Sequence, residues 1–261
     1  CKCALEFCFH ERRRSTAHIA RCGKEEVRPP SPLAYGHEGA GVVEEIGGAV
    51  KYFAVGDHVI LTFNSRGHCT PCLRNQTSYC KHDYNLTLKG RRLDGTKNLF
   101  FAGVPLESTY FGQYSFAHRS TVGAFSAVKV DKSLPLDTLC SLACRIQTGA
   151  GTILTILNPR LGSLVAVYGV GGAVGLAAIA IAAHCTPAIK IIAVDVDDSR
   201  LEMARAFGAT HTIKFKGKYM VELVQEVTDG EGVDYSLMLQ ASYPLLKAWF
   251  PLPRRTPFAR L

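Results

Sequence analysis

Three closely spaced cysteines form one group of chemically reactive residues in this sequence. Of the ten cysteines in the 261-residue chain, Cys69, Cys72 and Cys80 lie within one short segment. We expect no secretory signal, because Glu6, His10 and nearby arginines interrupt the first apolar stretch. Thiols in a protein that is not secreted are more typical of metal ligation than of disulfides. The spacing therefore predicts a metal site with sulfur ligands.

A glycine-rich turn in the second half of the chain has the context of a nucleotide phosphate loop. Gly169, Gly171, Gly172 and Gly175 lie between a predicted strand and a predicted helix. Glycine lets the backbone approach a pyrophosphate, and the helix N-terminus supplies free N–H groups. Asp195 ends the next predicted strand, where a carboxylate accepts hydrogen bonds from the ribose hydroxyls of NAD and repels the 2′-phosphate of NADP. Together these residues predict an NAD site.

The first half of the chain must position the cysteines with short strands. Strands are predicted over Gly41–Gly47, Asp57–Leu61 and Ser126–Val130, with glycine-containing turns between them. Short strands broken by turn residues are typical of an all-β, barrel-like domain. Residues 1–30 show no periodicity, and a proline-rich connector follows them at 28–32.

The second half alternates strands with helices, which predicts a parallel sheet covered on both faces. The predicted strands are Ser163–Tyr168, Lys190–Asp195, His211–Phe215 and Val233–Leu239, and the predicted helices are Ala173–His184, Ser199–Gly208 and Tyr219–Val227. The sequence from Ser199 to Glu202 matches a capping box, which predicts that a helix starts at Ser199. Because Pro251–Pro257 fits neither a strand nor a helix, we expect only four strands and an exposed sheet edge.

Composition excludes several classes of partner. The net charge is +8, but much of the excess lies at the two ends, at 12–14 and at 254–260, and we interpret it as solvated termini. No aromatic residues alternate with these arginines, so we expect no nucleic acid partner. The apolar run from Ala173 to Ala183 is too short to span a bilayer. We therefore expect no membrane partner and a cytoplasmic location.

Three segments resemble one known family. The fixed positions of a G-H-E-x-x-G-x-x-x-x-x-G-x-x-V motif are Gly36, His37, Glu38, Gly41, Gly47 and Val50. Phe111–Ala117 and Cys144–Gly151 are similar to two further segments of the same family. From about Leu33 to Leu239 the chain resembles the zinc-dependent medium-chain alcohol dehydrogenases, most of all the aryl- or benzyl-alcohol subgroup.

The resemblance implies a fold, a reaction and partners. The fold is α/β, with a GroES-like β-barrel catalytic domain over residues 1–135 and an incomplete, C-terminally truncated Rossmann domain over 136–261. The reaction is hydride transfer between a primary aryl or allylic alcohol and NAD, with a catalytic zinc that acts as a Lewis acid. The partner is a small alcohol or aldehyde. The homo-oligomer of the family is not expected for a truncated chain.

The resemblance also assigns individual residues. His37 and Cys144 are implied ligands of the catalytic zinc, and Glu38 is an adjacent carboxylate that can approach the metal. Thr148 is expected near the nicotinamide. The implied cofactor-binding residues are Gly169, Gly171, Gly172, Gly175, Asp195, Arg200 and Thr148. The ligands of a possible structural zinc are Cys69, Cys72 and Cys80.

The sequence departs from the family pattern at four places. Thr16 stands where the family has its first catalytic-zinc cysteine, and Arg66 stands where it has the first of four structural-zinc cysteines. Arginine has no lone pair to donate, so His68 or water would have to complete that site. Arg145 replaces the usual glycine after Cys144. The glycine loop is one residue longer than the usual spacing.

These departures leave two alternatives to a zinc dehydrogenase. One is a zinc-free quinone or enoyl reductase of the same superfold, which the missing first zinc cysteine favours. The other is a non-catalytic zinc- or nucleotide-binding remnant, which Arg66 and Arg145 favour. A measurement of bound zinc together with turnover of an aryl alcohol distinguishes a working dehydrogenase from the remnant.

Overall fold

The structure is a computed structural model, and it describes residues 4–8, 33–92, 94–97, 99–108, 110–216, 220–239 and 258–260. The chain divides into two compact units, Cys1–Cys144 and Arg145–Leu261. The domain boundary between residues 135 and 136 stays a prediction. Thr16, at the position where the family has its first catalytic-zinc cysteine, lies outside the described residues.

Strands and short helices make up the first unit. The strands are β1 (Ala4–Cys8), β2 (Ala40–Ile46), β3 (His58–Leu61), β4 (Leu99–Phe101), β5 (Val104–Leu106), β6 (Arg119–Gly123) and β7 (Ala127–Val130). The helices are α1 (Thr70–Leu73), α2 (Asp83–Thr87) and α3 (Leu136–Leu139), with 3-10 turns at Thr77–Tyr79, Tyr110–Gly112 and Ala124–Ser126. Three predicted strands are confirmed as β2, β3 and β7, to within one residue at each end.

Five of these strands form one antiparallel sheet in the order β6-β1-β2-β3-β7. Val43, Val59, Leu61 and Val122 point to one side and form a small buried core with Val50. Alternate positions of a strand face opposite sides of a sheet, which explains why every second residue of β3 is buried. This sheet holds the loop before β2, where His37 and Glu38 lie.

The second unit contains a parallel sheet. Its strands are β8 (Leu164–Tyr168), β9 (Lys190–Asp195), β10 (His211–Lys214), β11 (Tyr235–Met238) and β12 (Phe258–Arg260). Its helices are α4 (Gln147–Gly151), α5 (Ala173–Cys185), α6 (Asp198–Ala206) and α7 (Met220–Glu226), with π-helical stretches at Leu142–Ile146 and Thr152–Leu157. The strand order is β10-β9-β8-β11-β12, and every pair is parallel.

Both faces of this sheet are covered, as predicted. Val165, Val167 and Ala193 face a core that includes α5 and α6, whereas Ala166 and Val194 face a core that includes α7. Burial on both faces explains the continuous apolar runs in β8 and β9. Helix α5 is apolar on all sides and is largely buried.

Two predictions about this unit were wrong. Helix α6 does not start at a Ser199 capping box, because the carboxylate of Asp197 accepts a 2.9 Å hydrogen bond from the Ser199 N–H and caps the helix two residues earlier. The sheet does not stop at four strands, because β12 adds a parallel strand next to β11. The proline-rich segment Pro251–Pro257, expected to be irregular, lies outside the described residues.

One helical stretch of the described residues, Leu136–Leu157, is long and apolar enough by length and composition to cross a membrane. It comprises α3, both π-helical stretches and α4. A helix of a protein that never enters a membrane can meet the same test, so the finding alone is weak evidence. One observation argues against a bilayer: Arg145, a charged side chain, lies near its middle.

Candidate active site and metal centre

His37, Glu38 and Cys144 form the first cluster of potential metal ligands. One ligand atom from each residue lies within 4.8 Å of the others, although Cys144 is more than a hundred residues away along the chain. All three side chains are half-buried. An imidazole nitrogen, a thiolate and a carboxylate are the donor types that zinc binds in proteins. The cluster therefore fits a zinc ion, and all three residues had been expected there from the sequence.

The loop that holds His37 is fixed by a glycine and by backbone hydrogen bonds. Gly36 has φ +111°, and a Cβ at this position would lie 2.3 Å from the backbone nitrogen of Phe116. The Ser115 N–H donates to the Gly36 carbonyl at 3.1 Å, and the Phe116 N–H donates to the Tyr35 carbonyl at 3.0 Å. Only glycine fits this close approach without displacing the backbone.

Gln113 is a positioning residue that the sequence did not identify. Its side chain is fully buried. Its amide oxygen accepts a 3.2 Å hydrogen bond from the Gly39 N–H, and its amide nitrogen donates to the Thr62 carbonyl at 3.2 Å. The side chain thereby links the loop that contains His37 to the end of β3. It lies in the Phe111–Ala117 segment, so the resemblance pointed to its neighbourhood without giving it a role.

Aromatic rings surround His37. Its ring centroid lies 4.8 Å from that of Phe111 and 6.1 Å from that of Tyr110, and the rings of Tyr35 and Tyr110 are 5.1 Å apart. Burial, followed by the nearby Tyr35 and Cys144, raises the pKa of Tyr110 above its usual value, so the phenol is neutral near neutral pH. Phe111 has φ 51°, a left-handed conformation, which explains why sequence patterns did not predict this wall.

The second cluster consists of Cys69, Cys72 and Cys80, as the spacing predicted. The Cys69 sulfur lies 3.3 Å from the Cys72 sulfur and 3.9 Å from the Cys80 sulfur. Backbone N–H groups of Cys72 and Lys81 donate to the Cys69 sulfur and lower the pKa of this thiol to about 7. Burial raises the pKa of the Cys72 thiol.

Arg66 prevents this second cluster from being a four-thiolate zinc site. Its Nε–H donates to His68 Nε2 at 2.7 Å, and its Nη1 lies 3.3 Å from His82 Nε2. Both imidazoles contact the guanidinium, so the expectation that His68 completes a tetrahedron has no support in this geometry. Structural zinc sites are almost always closed by four protein ligands. The residues present at this cluster do not fit such a site.

The glycine turn and Asp195 are brought together in the second unit. The Gly171 N–H donates to Asp195 Oδ2 at 2.9 Å, and Asp195 Oδ1 accepts from the Val196 N–H at 2.8 Å. Arg200 Nη1 lies 3.5 Å from Asp195 Oδ1. The carboxylate therefore joins the turn after β8 to the end of β9, and this turn lies beside the β8–β11 pair, where the strand order reverses and nucleotides bind in such sheets.

The extra residue of the glycine loop lies in the turn rather than in the helix. Helix α5 starts at Ala173 with Gly172 as its N-cap, so Gly175 is in regular helix. Gly169 has φ +81°, a left-handed conformation that accommodates the extra residue of the turn. A Cβ at Gly175 would lie 2.6 Å from the Cα of Val170, whereas a Cβ at Gly172 would have nothing within 4 Å. Gly175 thus permits close packing, and Gly172 leaves open space in front of the helix.

Two families match this chain. Residues 10–126 match the alcohol dehydrogenase GroES-like domain, and residues 173–248 match the zinc-binding dehydrogenase family. A probable alcohol dehydrogenase from Pseudomonas sp is 36% identical over 234 residues, which are 88% of this chain and 73% of that protein. This chain belongs to the medium-chain alcohol dehydrogenase family. The predicted family, the two-part fold and the class of oxidoreductases are thereby confirmed.

Other medium-chain dehydrogenases are similar over different lengths. The geraniol dehydrogenase of Castellaniella defragrans is 36% identical over 209 residues, and this chain spans 56% of its length. The crystal structure of benzyl alcohol dehydrogenase from Acinetobacter calcoaceticus has a TM-score of 0.85 and 33% identity, over 99% of this chain and 69% of that one. An alcohol dehydrogenase zinc-binding domain protein from Burkholderia ambifaria has a TM-score of 0.80 and 41% identity, over 88% and 62%.

Proposed function

We propose that this chain is a zinc-dependent dehydrogenase that transfers hydride between a primary aryl or allylic alcohol and NAD. The convergence of His37, Glu38 and Cys144 within 4.8 Å supports the proposal most strongly. Three donor groups from two distant parts of the sequence meet beside a wall of aromatic rings. In a buried structural role, a histidine would not require a thiol and a carboxylate next to it.

The aromatic wall supports the class of substrate. Tyr110 and Phe111 flank His37 and present ring surfaces next to the donor cluster. A planar aryl or allylic group can stack on such surfaces, which a short aliphatic alcohol cannot do. Two similar proteins, a geraniol dehydrogenase and a benzyl alcohol dehydrogenase, have names that fit this class.

The cluster of metal ligands and the aromatic rings have different roles in the proposed reaction. The residues that would hold zinc are His37 and Cys144, with Glu38 beside them. The chemistry that zinc supplies when bound is Lewis acidity, which lowers the pKa of an alcohol. Tyr110 and Phe111 exclude water from one side and orient the carbon that loses hydride. Glu38 can accept hydrogen bonds from groups that approach the cluster.

NAD is the proposed cofactor. The N-terminus of α5 with the turn Gly169–Gly172 would bind the pyrophosphate, since backbone N–H groups and the helix dipole both favour an anion there. The buried carboxylate of Asp195 faces the end of that turn and disfavours a 2′-phosphate. Arg200 and Thr148 are the remaining proposed cofactor contacts. We expect kcat/KM for NAD to exceed that for NADP.

The proposal is tested by measuring bound zinc and turnover on the same preparation. Zinc per chain is determined by atomic emission on protein purified without chelator, and NADH formation is followed with benzyl alcohol, geraniol and ethanol. About one equivalent of cluster-bound zinc and a preference for the first two alcohols support it. Absence of zinc together with absence of turnover would leave a nucleotide-binding remnant, and oxidation of NADPH by a quinone or an enone in the absence of zinc would favour the zinc-free reductase.

The proposed partners are a small alcohol or aldehyde and no macromolecule. We also propose a cytoplasmic location and no stable homo-oligomer for this chain. Size-exclusion chromatography with light scattering measures the oligomeric state, and a dimer mass would contradict the last of these proposals.

A further inference from the structure

The segment that contains Cys69, Cys72 and Cys80 differs from a four-cysteine zinc site at one position, which is Arg66. The three sulfurs are mutually within 4.8 Å. Cys72 and Cys80 are buried and pack on Leu86, which shields the cluster from water on one side. Three preassembled thiols at such separations can bind one ion together.

Backbone N–H groups contact the cluster. The N–H groups of Arg66 and His82 both approach the Cys80 sulfur, at 3.4 and 3.5 Å. The cluster thus retains the surroundings of a metal site although one ligand has been replaced.

The residue at the position of the replaced cysteine cannot act as a metal ligand. Arg66 has no lone pair, and its guanidinium contacts the imidazoles of His68 and His82. Zinc in a structural site requires four ligands in a tetrahedron. A three-thiolate set suits a soft ion that accepts trigonal coordination, and thiolate ligands select monovalent copper among such ions.

We propose that Cys69, Cys72 and Cys80 form a trigonal three-thiolate site for a soft monovalent cation, with Cu(I) as its representative, in place of the four-thiolate zinc site. The ion binds by displacing the thiol protons, and no oxidation of sulfur is involved. The site is separate from the His37 cluster, and the proposal does not depend on the dehydrogenase activity.

The experiment uses the full, reduced chain with Cys144→Ser, so that the His37 cluster does not compete for metal. Cu(I) affinity is measured against a chromophoric Cu(I) chelator, and X-ray absorption at the copper edge counts sulfur neighbours. We expect one Cu(I) with three sulfur neighbours. Cys69→Ser and Cys80→Ser should each weaken binding at least 100-fold, whereas the matched control Cys185→Ser, at an exposed thiol, should not.

Arg66→Cys tests the selectivity. It restores a fourth thiol, so zinc should bind at least 100-fold more tightly than in the parent, with four sulfur neighbours at the zinc edge. Arg66→Ala removes the cation without adding a ligand and should leave zinc binding weak. The proposal is overturned if the parent binds zinc as tightly as Arg66→Cys, or if Cys69→Ser and Cys80→Ser both keep the parent's Cu(I) affinity.

Discussion

At the scale of single residues, the two groups of potential metal ligands in this chain differ in completeness. His37, Glu38 and Cys144 bring three different donor types together, whereas Cys69, Cys72 and Cys80 face a cation at the fourth position. One arginine decides the difference, since its side chain cannot ligate and also contacts two histidines. Cysteine spacing predicted the second group of donors, whereas the first group was implied only by the family resemblance, because Cys144 is distant from His37 along the chain.

Cys144→Ser should weaken zinc binding by at least about 100-fold, because loss of a direct ligand should exceed the 10–100-fold effect of removing a neighbouring support. Alcohol oxidation should fall in proportion to the zinc lost. Cys140→Ser is the matched control, since Cys140 lies in the same helical stretch and its thiol contacts the Asp137 carbonyl instead of the cluster. Zinc content by atomic emission and NADH formation are the two measurements, and equal zinc in both variants would contradict the assignment.

The buried carboxylate of Glu107 should make the stability of the fold depend on pH. Its carboxylate is buried and accepts bonds from Arg91 Nε at 3.1 Å and Lys97 Nζ at 2.8 Å. Burial alone would raise the pKa of Glu107, but the hydrogen bonds from Lys97 and Arg91 outweigh it, and the pKa is lowered. A lowered folded-state pKa adds stability that is present above the unfolded value of about 4.3 and lost as pH falls below it.

Glu107→Gln should therefore lower the free energy of unfolding by about 1–3 kcal/mol at pH 7. The difference from the parent should shrink as the pH falls below about 4, because the parent's carboxylate then becomes protonated as well. Urea unfolding at pH 7, 5 and 3.5 measures this. A difference that stays constant over that range would mean that the ion pairs do not stabilise the fold.

At the scale of elements, one short turn and two glycines shape the proposed nucleotide site. Gly175 allows α5 to pack against Val170, and Gly172 leaves space where the pyrophosphate is proposed to bind. The alternation of strands and helices predicted this architecture, because buried parallel strands and helix caps are local in sequence. The start of α6 was mispredicted because two acceptors, Asp197 and Ser199, compete for the same cap and only the geometry decides between them.

Gly172→Ala should mainly affect NAD binding, whereas Gly175→Ala should mainly affect stability. Gly175→Ala forces a Cβ against backbone atoms of Val170 and should cost about 1–3 kcal/mol of stability. Gly172→Ala meets nothing in the protein and should change stability by less than about 1 kcal/mol, yet it should weaken NAD binding at least tenfold. Thermal unfolding and fluorescence titration with NADH separate the two. Unchanged affinity in Gly172→Ala would move the pyrophosphate away from this turn.

At the scale of the whole molecule, the features that follow from local sequence patterns were predicted better than those that depend on contacts between distant residues. The two-part fold followed from strand and helix periodicity. The strand β12 was missed because it has only three residues, too few for a periodic pattern. The aromatic wall around His37 was also missed, since it depends on a left-handed residue, Phe111, that no hydrophobic pattern reveals. The stretch Leu136–Leu157 was not predicted as one long apolar helix, because it is made of several short α-helical and π-helical segments.

We predict that this long helix does not enter membranes. Arg145 near the middle of the helix would cost about 2.5–3.5 kcal/mol in a bilayer. In addition, a Cβ at Gly149 would lie 2.2 Å from the Val174 carbonyl, so this part of the helix is already packed on α5. The purified chain should stay at the bottom of a density gradient with lipid vesicles, and so should Arg145→Leu, which removes the charge but keeps that packing. Flotation of the parent with vesicles would contradict the prediction.

The thiols of the described residues form a graded series, with Cys185 exposed, Cys69, Cys140 and Cys144 half-buried, and Cys72 and Cys80 buried. Among these six thiols, an alkylating reagent should modify exposed Cys185 whatever ion the protein holds, so Cys185 serves as the internal reference. Cys69 and Cys144 each belong to a different metal cluster, so the rate at which each is modified reports whether its own cluster is loaded. Peptide mass spectrometry after brief alkylation would then give the occupancy of both clusters at once, in a cell extract as well as in a purified sample.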